Sequence, residues 1–505
     1  MTAERIKQRL SKAKAVRLAI EDRLDDCYRY GLPGRAQFNQ SRAGGGEDDI
    51  FDETAVVAIE DYASVIHDRM TPDNADWVSM AADGSVHEQD RAAVNRDLEE
   101  INRFLFEQVH ASNFSSEAQE AYLDLGCSTG ILVTQWDSGL VHSSVPLTQA
   151  YLEAGADDTV GGLFRVRDKV RLELIPPMYP RAEISPELGK LIATEPDREV
   201  SVTDALWRVY SGNMDGLSAV VVNGSGLRGS QLIQEEPLFG MGSIPFSAFR
   251  FSKAAGEIYG RGPLMKVMSG IKTTNLVIEL MLQNAAMAMV GIYQIENDSQ
   301  MNIDTIRLEP GAIIPHARGA QGLRRVDTGS NSFNVAGLIL EDQRRNIKRG
   351  MYSDALADPN RTPATASEIM VRTQELAGRI SANVGRLRTE FIVPYWRRVL
   401  HLHVRAGLIQ LPIPIEKIVI TPEGPLARAV RQQGVNALVQ HFQTIAGIYG
   451  PQIAASRYDM DRLDEFVRRS LGSPLMVMAD PATQQQQAGV AVQAMQAQAQ
   501  GGLPA

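Results

Sequence analysis

Apolar residues fall into three regimes along the chain. Over residues 3–28 they recur at helical spacing, with Ile6, Leu10, Leu18 and Leu24 among them, and predict one charged amphipathic helix. Leu32-Pro33-Gly34 ends it, and the Gly/Asp-rich stretch 43–49 reads as a flexible loop. Asp52 suits the N-cap of a next helix carrying Val56, Ile59, Val65, Ile66 and Met70, which Thr71-Pro72-Asp73-Asn74 stops. Two further helices are predicted over 86–110 and 115–125. From about residue 130 the period shortens, and 131–136, 164–167, 207–210 and 219–222 are β-like runs between Gly, Asp and Pro clusters.

The second regime is a rod. Gly256-Glu257-Ile258-Tyr259-Gly260-Arg261-Gly262-Pro263 punctuates a loop, and Pro263 suits a first helical turn, where its missing N–H costs nothing. Strong helix formers follow to Val290, about 27 residues that would span roughly 40 Å. The rod is apolar on nearly all sides. Its polar residues Lys272, Asn275, Glu279 and Gln283 are spaced by three and four, so they make one stripe. Such a helix needs neighbours on both flanks, in a large core, a membrane, or a ring of identical helices around a wet channel. A membrane is the weakest of these, because Glu279 interrupts the run before the ~20 residues a span requires. A core helix is the ordinary reading.

The third regime follows the rod. A β-rich insert over 291–333 carries strand-like 292–295, 303–308 and 313–314. A helix over roughly 335–350 ends in Arg344, Arg345, Lys348 and Arg349, cations that suit its C-terminal dipole. A polar loop runs to Arg361. Thr365-Ala366-Ser367-Glu368 is a capping box opening a long helix with Ile369, Leu376, Ile380, Val384, Leu387 and Phe391 on one face, which Pro394 should kink or end. Residues 426–472 read as helical again, and the Gln/Ala/Gly-rich tail from Pro481 reads as disordered. The fold class is α+β, mostly helical, with no internal repeat.

Bulk properties narrow the function. At 505 residues the chain has room for two to four compact units, and 44% apolar with 22% charged residues is ordinary for a folded soluble protein. A net charge of −10 argues against gripping nucleic acid over the whole surface, though not against a conduit through which DNA slides. Two cysteines, Cys27 and Cys127, make no disulfide framework and point weakly to a reducing compartment. The N-terminus carries no apolar signal core, so synthesis and folding in the cytoplasm are expected.

Motifs of catalysis fail their context. Gly126-Cys127-Ser128-Thr129-Gly130 matches a nucleophile elbow, but that motif needs strand then helix, and here a helix precedes and a strand follows. Gly224-Ser225-Gly226-Leu227-Arg228-Gly229 lacks the helix a dinucleotide site requires, so a hairpin is expected. Gly189-Lys190 runs into Leu191, not Ser or Thr, so there is no phosphate-binding loop for ATP. His401 and His403 lie on different faces of a predicted helix. The sequence therefore predicts no enzyme, no catalytic residues, no cofactor and no metal.

The Gly256–Pro263 block resembles a signature of the portal, or head-to-tail connector, proteins of short-tailed bacteriophages. Phe51-Asp52-Glu53-Thr54-Ala55, Met70-Thr71-Pro72 with Trp77, Phe164-Arg165-Val166-Arg167 and Thr365-Ala366-Ser367-Glu368 resemble further blocks of that family, in consistent order. The resemblance implies a ring of about twelve subunits at one capsid vertex, assembled in the host cytoplasm and retained in the virion. Double-stranded DNA would pass through it during packaging and ejection. Partners would be the terminase large subunit as ATPase motor, a tail adaptor, and the scaffolding and major capsid proteins, with no membrane. It further implies a wing over 1–255, a first stem helix with its loop over 256–290, and a clip over 291–333. A second stem helix would fill 334–350, a tunnel loop 351–363, a wing return 364–420 and a crown 421–480, before the tail 481–505. Arg344, Arg345, Lys348, Arg349 and Arg361 become candidates for the DNA channel, against the plainer reading that they cap a helix and pair with Glu341 and Asp342. Two alternatives stand beside this. One is another virion ring or scaffold component without DNA contact; the other is a serine hydrolase using Ser128.

Overall fold

The computed structural model describes residues 2–35, 50–290, 292–294, 324–326, 333–353 and 383–424, a few single positions and the tip 211–213 apart, with short helical pieces between 435 and 448. Two helices, α1 (Ala3–Leu18) and α2 (Glu21–Gly31), replace the single helix expected over 3–28. The break at Ala19–Ile20 lets each half bury its own face: α1 lies on a sheet, whereas α2 turns into the central core through Leu24, Cys27 and Tyr28. Next come α3 (Thr54–Met70), β1 (Val78–Ala82), α4 (Glu88–His110), α5 (Phe114–Cys127), β2 (Thr129–Trp136) and β3 (Leu140–Ser144). Asp52 caps α3 from one position earlier than expected, accepting from Thr54 N at 3.2 Å and Thr54 Oγ1 at 2.8 Å. Strands β4 (Ala150–Ala154) and β5 (Val160–Arg171) lead to short α6 (Ile175–Met178) and to α7 (Pro186–Thr194), whose cap Ser185 accepts from Leu188 N. Strands β6 (Glu199–Arg208), β7 (Gly216–Asn223), β8 (Gln231–Leu238) and β9 (Phe246–Arg250) complete this half. The glycine-rich 224–229 segment joins β7 to β8 as a hairpin connection, as expected.

Strands β4-β5-β6-β7-β8 form one antiparallel sheet in that order. Side chains alternate across it, as the pleat dictates. One face packs Phe164, Ala205, Trp207, Leu217, Ala219 and Val221 under Ile6 and Ala13 of α1. The other packs Val200, Val202, Val220, Val222 and Ile233 against Leu172, Ile175 and Leu188. Few apolar groups hold α1, and cations do the rest. The Arg9 guanidinium lies 4.5 Å over Trp207 and that of Arg17 4.1 Å over Tyr151, while Arg17 Nη1 donates to Leu147 O and Thr148 O at 2.9 Å.

The chain then makes α8 (Pro263–Val290), the small antiparallel pair β10 (Ile292–Gln294) and β11 (Arg324–Val326), and α9 (Phe333–Gly350). After a π-helical turn at Arg388–Ile392, α10 (Val393–Arg405) and β12 (Ile418–Pro422) return to the first half. Strand β12 pairs antiparallel with β1, from Val78↔Pro422 to Ala82↔Ile418. Pro394 marks a change of helix type, with the helical path continuing through it. The core closes on Trp77, whose ring centroid lies 5.2–5.9 Å from those of Phe106, Phe114, Tyr395 and Trp396. The third sheet, β3-β2-β9, floors that core.

The class is α+β: about half of the described residues are helical, and several antiparallel sheets accompany them, more strand than expected because β1, β3, β4, β8, β9 and β12 lack the alternating apolar runs that reveal strands. The strands expected at 303–308 and 313–314, the loop from 354 with Arg361, the capping box at 365–368, the helix up to 382 and everything from 449 lie outside the described residues.

Candidate functional site

Two glycine motifs that stand far apart in sequence meet at the root of α8. Ser128 Oγ donates to Gly260 O at 2.7 Å, Gly260 N donates to Thr129 Oγ1 at 2.9 Å, and Gly262 N donates to Cys127 O at 3.1 Å. The approach is backbone on backbone. A Cβ on Gly260 would lie 2.3 Å from Ser128 O, and one on Gly262 would lie 2.0 Å from Gly126 O, so only glycine fits either place. Tyr259 is buried beside them, its hydroxyl accepting from Leu152 N at 3.0 Å, and burial pushes its pKa up. Arg261 folds back on Glu257 at 2.6 Å.

Arg250, at the end of β9, locks this root to the returning chain. Its side chain is 1% exposed and grips Glu390 with Nη2 at 2.6 Å and Nε at 3.1 Å. It also donates to Ile258 O at 3.0 Å and Asp158 O at 2.9 Å. Glu390 reaches it from the π-helical turn, where the extra residue per turn re-aims a side chain.

Ser128 is accordingly no nucleophile. It is fully buried, its hydroxyl proton is committed to Gly260 O, and it stands between helix α5 and strand β2 in the order opposite to an elbow. His403 is fully buried and donates from Nδ1 to Val399 O at 2.8 Å; burial lowers the pKa of both His401 and His403. Among the described residues no three His, Cys, Asp or Glu side chains could hold a metal ion, and no helix is long and apolar enough to cross a membrane.

From its root α8 pairs antiparallel with α9. A Cβ on Gly350 would meet Val267, and one on Gly270 faces Gln343 and Ile347, so the end of α9 lies beside the start of α8. Near the root the pair is packed: Leu264, Ile271, Thr274 and Ile347 are buried. The predicted polar stripe does not share one environment. Asn275 is buried and its Oδ1 accepts from Phe51 N at 2.7 Å and Asp52 N at 3.3 Å. Lys272 pairs with Asp26 of α2 at 2.6 Å. Glu279 and Gln283 bond one another at 3.1 Å, with Gln283 exposed.

Arg344 reaches Asp52 at 3.3 Å and Glu341 at 3.5 Å, and Arg345 donates to Glu341 O at 3.4 Å. Lys348 and Arg349 are exposed in the last turn, and the Lys348 charge acts on Asp61 of α3. Beyond the root several large aliphatic side chains of the pair are bare. Leu276, Leu280, Leu282, Leu338 and Ile339 are between 48% and 74% exposed, a concentration of large aliphatic side chains found on both helices.

The described residues thus make a glycine-stitched body and an antiparallel hairpin of α8 and α9 that carries exposed aliphatic side chains. Residues 3–478 match the family described as bacteriophage head to tail connecting protein, and the chain belongs to that family. It is a structural, non-enzymatic component of the virion at the head–tail junction. The family reaches across nearly the whole chain and is described by connection of head to tail, which overturns the narrower expectation of a portal for DNA packaging and ejection. No curated protein matches the chain. Among solved structures it is similar to a chain in the neck of an empty GTA particle computed with C6 symmetry, at 10% identity and a TM-score of 0.35, over 76% of this chain and 84% of that one. It is also similar to a chain of the virion of a native gene transfer agent particle, at 12% identity and a TM-score of 0.33, over 84% and 94%. Both scores lie below one half.

Proposed function

We propose that copies of this chain close into a ring at the head–tail junction and link head to tail as a neck component, with the outer parts of α8 and α9 as the faces through which copies touch. The exposed aliphatic side chains of that hairpin carry this reading. A connector on the head–tail axis is built most simply from copies of one chain related by rotation, and such contacts close as a ring. Each hairpin then has a neighbour on either side, which removes Leu276, Leu280, Leu338 and Ile339 from water. At roughly 25 cal/mol per Å², a few such side chains stabilise each contact by several kcal/mol before association costs.

In this reading residues 1–255 with the return over 383–424 form the body, and the hairpin of α8 and α9 projects from it. Lys272 and Asn275 hold the rod to the body, and Glu279 and Gln283 form a wet edge between copies. Arg344 ties α9 to Asp52, and Arg345, Lys348 and Arg349 form a basic collar near the root. Native mass measurement with negative-stain imaging of the purified chain tests the reading. A particle of many 55.4 kDa chains with a central hole supports it. A single-chain mass at every protein concentration tried would reject it.

A further inference from the structure

Helices α2 and α5 meet where Tyr28 Oη donates to Asp124 Oδ1 at 2.5 Å, with both residues fully buried. One residue back along α2 lies Cys27. Three residues on along α5, one helical turn, lies Cys127. These are the two cysteines of the whole chain, both fully buried in the same core cluster, and the Cys27 side chain is among the groups that act on the Cys127 thiol. Nothing in the local sequence pairs them; the fold does.

We propose that Cys27 and Cys127 are a disulfide-forming pair, reduced when the chain folds in the cell and oxidised once the particle stands in an oxygenated medium. The two thiols give two protons and two electrons to dioxygen, which leaves as hydrogen peroxide, and one S–S bond forms. The bond fastens α2 to the end of α5. Because Cys127 O is the acceptor for Gly262 N, the brace reaches the root of the hairpin directly. Burial sets the timing. It holds the Cys127 thiol well above its ordinary pKa, so little thiolate exists in the closed protein and oxidation waits on local opening of α2. The same burial shields the finished bond from thiol reductants. Closing a loop of roughly 100 residues restricts the unfolded chain, so the oxidised protein melts higher than the reduced one.

Purified full-length protein is oxidised in air-equilibrated buffer with copper phenanthroline, denatured, alkylated with iodoacetamide and digested. The oxidised chain should take up no alkyl group. It should yield one peptide pair joined through Cys27 and Cys127 that dithiothreitol separates, and its melting midpoint should rise by several degrees. Two alkyl groups per oxidised chain, or cross-links only between chains, would overturn the proposal. Cys27→Ala and Cys127→Ala must each lose the joined pair; if either fails to fold, the wild-type digest still decides. Particles collected after lysis into alkylating medium read the state in the virion, where the joined pair is expected and alkylated cysteines count against it.

Discussion

Replacing Arg250 with methionine removes the group that binds the root of the hairpin to the returning chain. The guanidinium is 1% exposed and Glu390 9%, so water cannot take its place. Methionine fills much of the volume but, among the described residues, leaves Glu390 with only Arg250 N at 3.0 Å and the Arg386 guanidinium at 4.0 Å. Ile258 O and Asp158 O each lose a donor as well. Breaking a buried pair from one side costs about 3–5 kcal/mol, because the remaining charge is uncompensated. The nearby Arg386 places the expected loss at the lower end, about 3 kcal/mol. Urea unfolding read as the shift in midpoint multiplied by the slope measures it. Adding Glu390→Leu removes the orphaned charge, so the double variant should recover at least ~1 kcal/mol relative to Arg250→Met alone. A single variant within ~0.5 kcal/mol of wild type, or a double variant less stable than the single, would refute the assignment of Arg250 as the lock.

Further predictions follow from the same contacts. Gly262→Ala drives a methyl into Gly126 O and the Cys127 carbonyl, so soluble yield should collapse, whereas Gly34→Ala, with no described atom within 4 Å of the new methyl, should express normally. Ser128→Ala removes a buried donor to Gly260 O and should cost about 1–2 kcal/mol in thermal or urea unfolding while leaving assembly unchanged. His142 is buried against Tyr395 and Phe114, and burial lowers its pKa from 6.5 to about 4. Its folded form therefore binds fewer protons than the unfolded one between these values. Stability is fully present above pH ~6.5 and falls as pH drops toward 4, by up to about 3 kcal/mol. Asp124, raised by burial to about 6, acts in the opposite sense across much of that window, so the difference between wild type and His142→Gln over pH 4–7 isolates the histidine.

Some of this was legible in the sequence and some could not be. The rod was, because Pro263 and an unbroken run of helix formers to Val290 define a helix by local chemistry alone. So was the failure of the Gly126–Gly130 motif, since order along the chain decides it. The partner of that motif was not. Ser128 and Gly260 are 132 residues apart, and two glycine clusters give no local sign that their backbones touch. The same holds for Arg344 and Asp52, 292 residues apart, where a sequence shows only a cation with nearby acids at Glu341 and Asp342. Strand β1 reads Val-Ser-Met-Ala-Ala, too weak a pattern to reveal a strand, and its partner β12 lies in the last quarter of the chain. The break between α1 and α2 has no glycine or proline to announce it. It is set by tertiary packing, in which one half serves the five-stranded sheet and the other the central core.

The measurement that bears most directly on the hairpin as the contact face of a connector ring is the native mass of Leu276→Glu/Leu280→Glu beside wild type. Both positions are exposed in the single chain, so the variant should keep its circular dichroism and melting midpoint. Carboxylates facing carboxylates between copies would oppose assembly. The prediction is a ring mass for wild type and a single 55.4 kDa chain for the variant. An intact ring with both glutamates in place would contradict it.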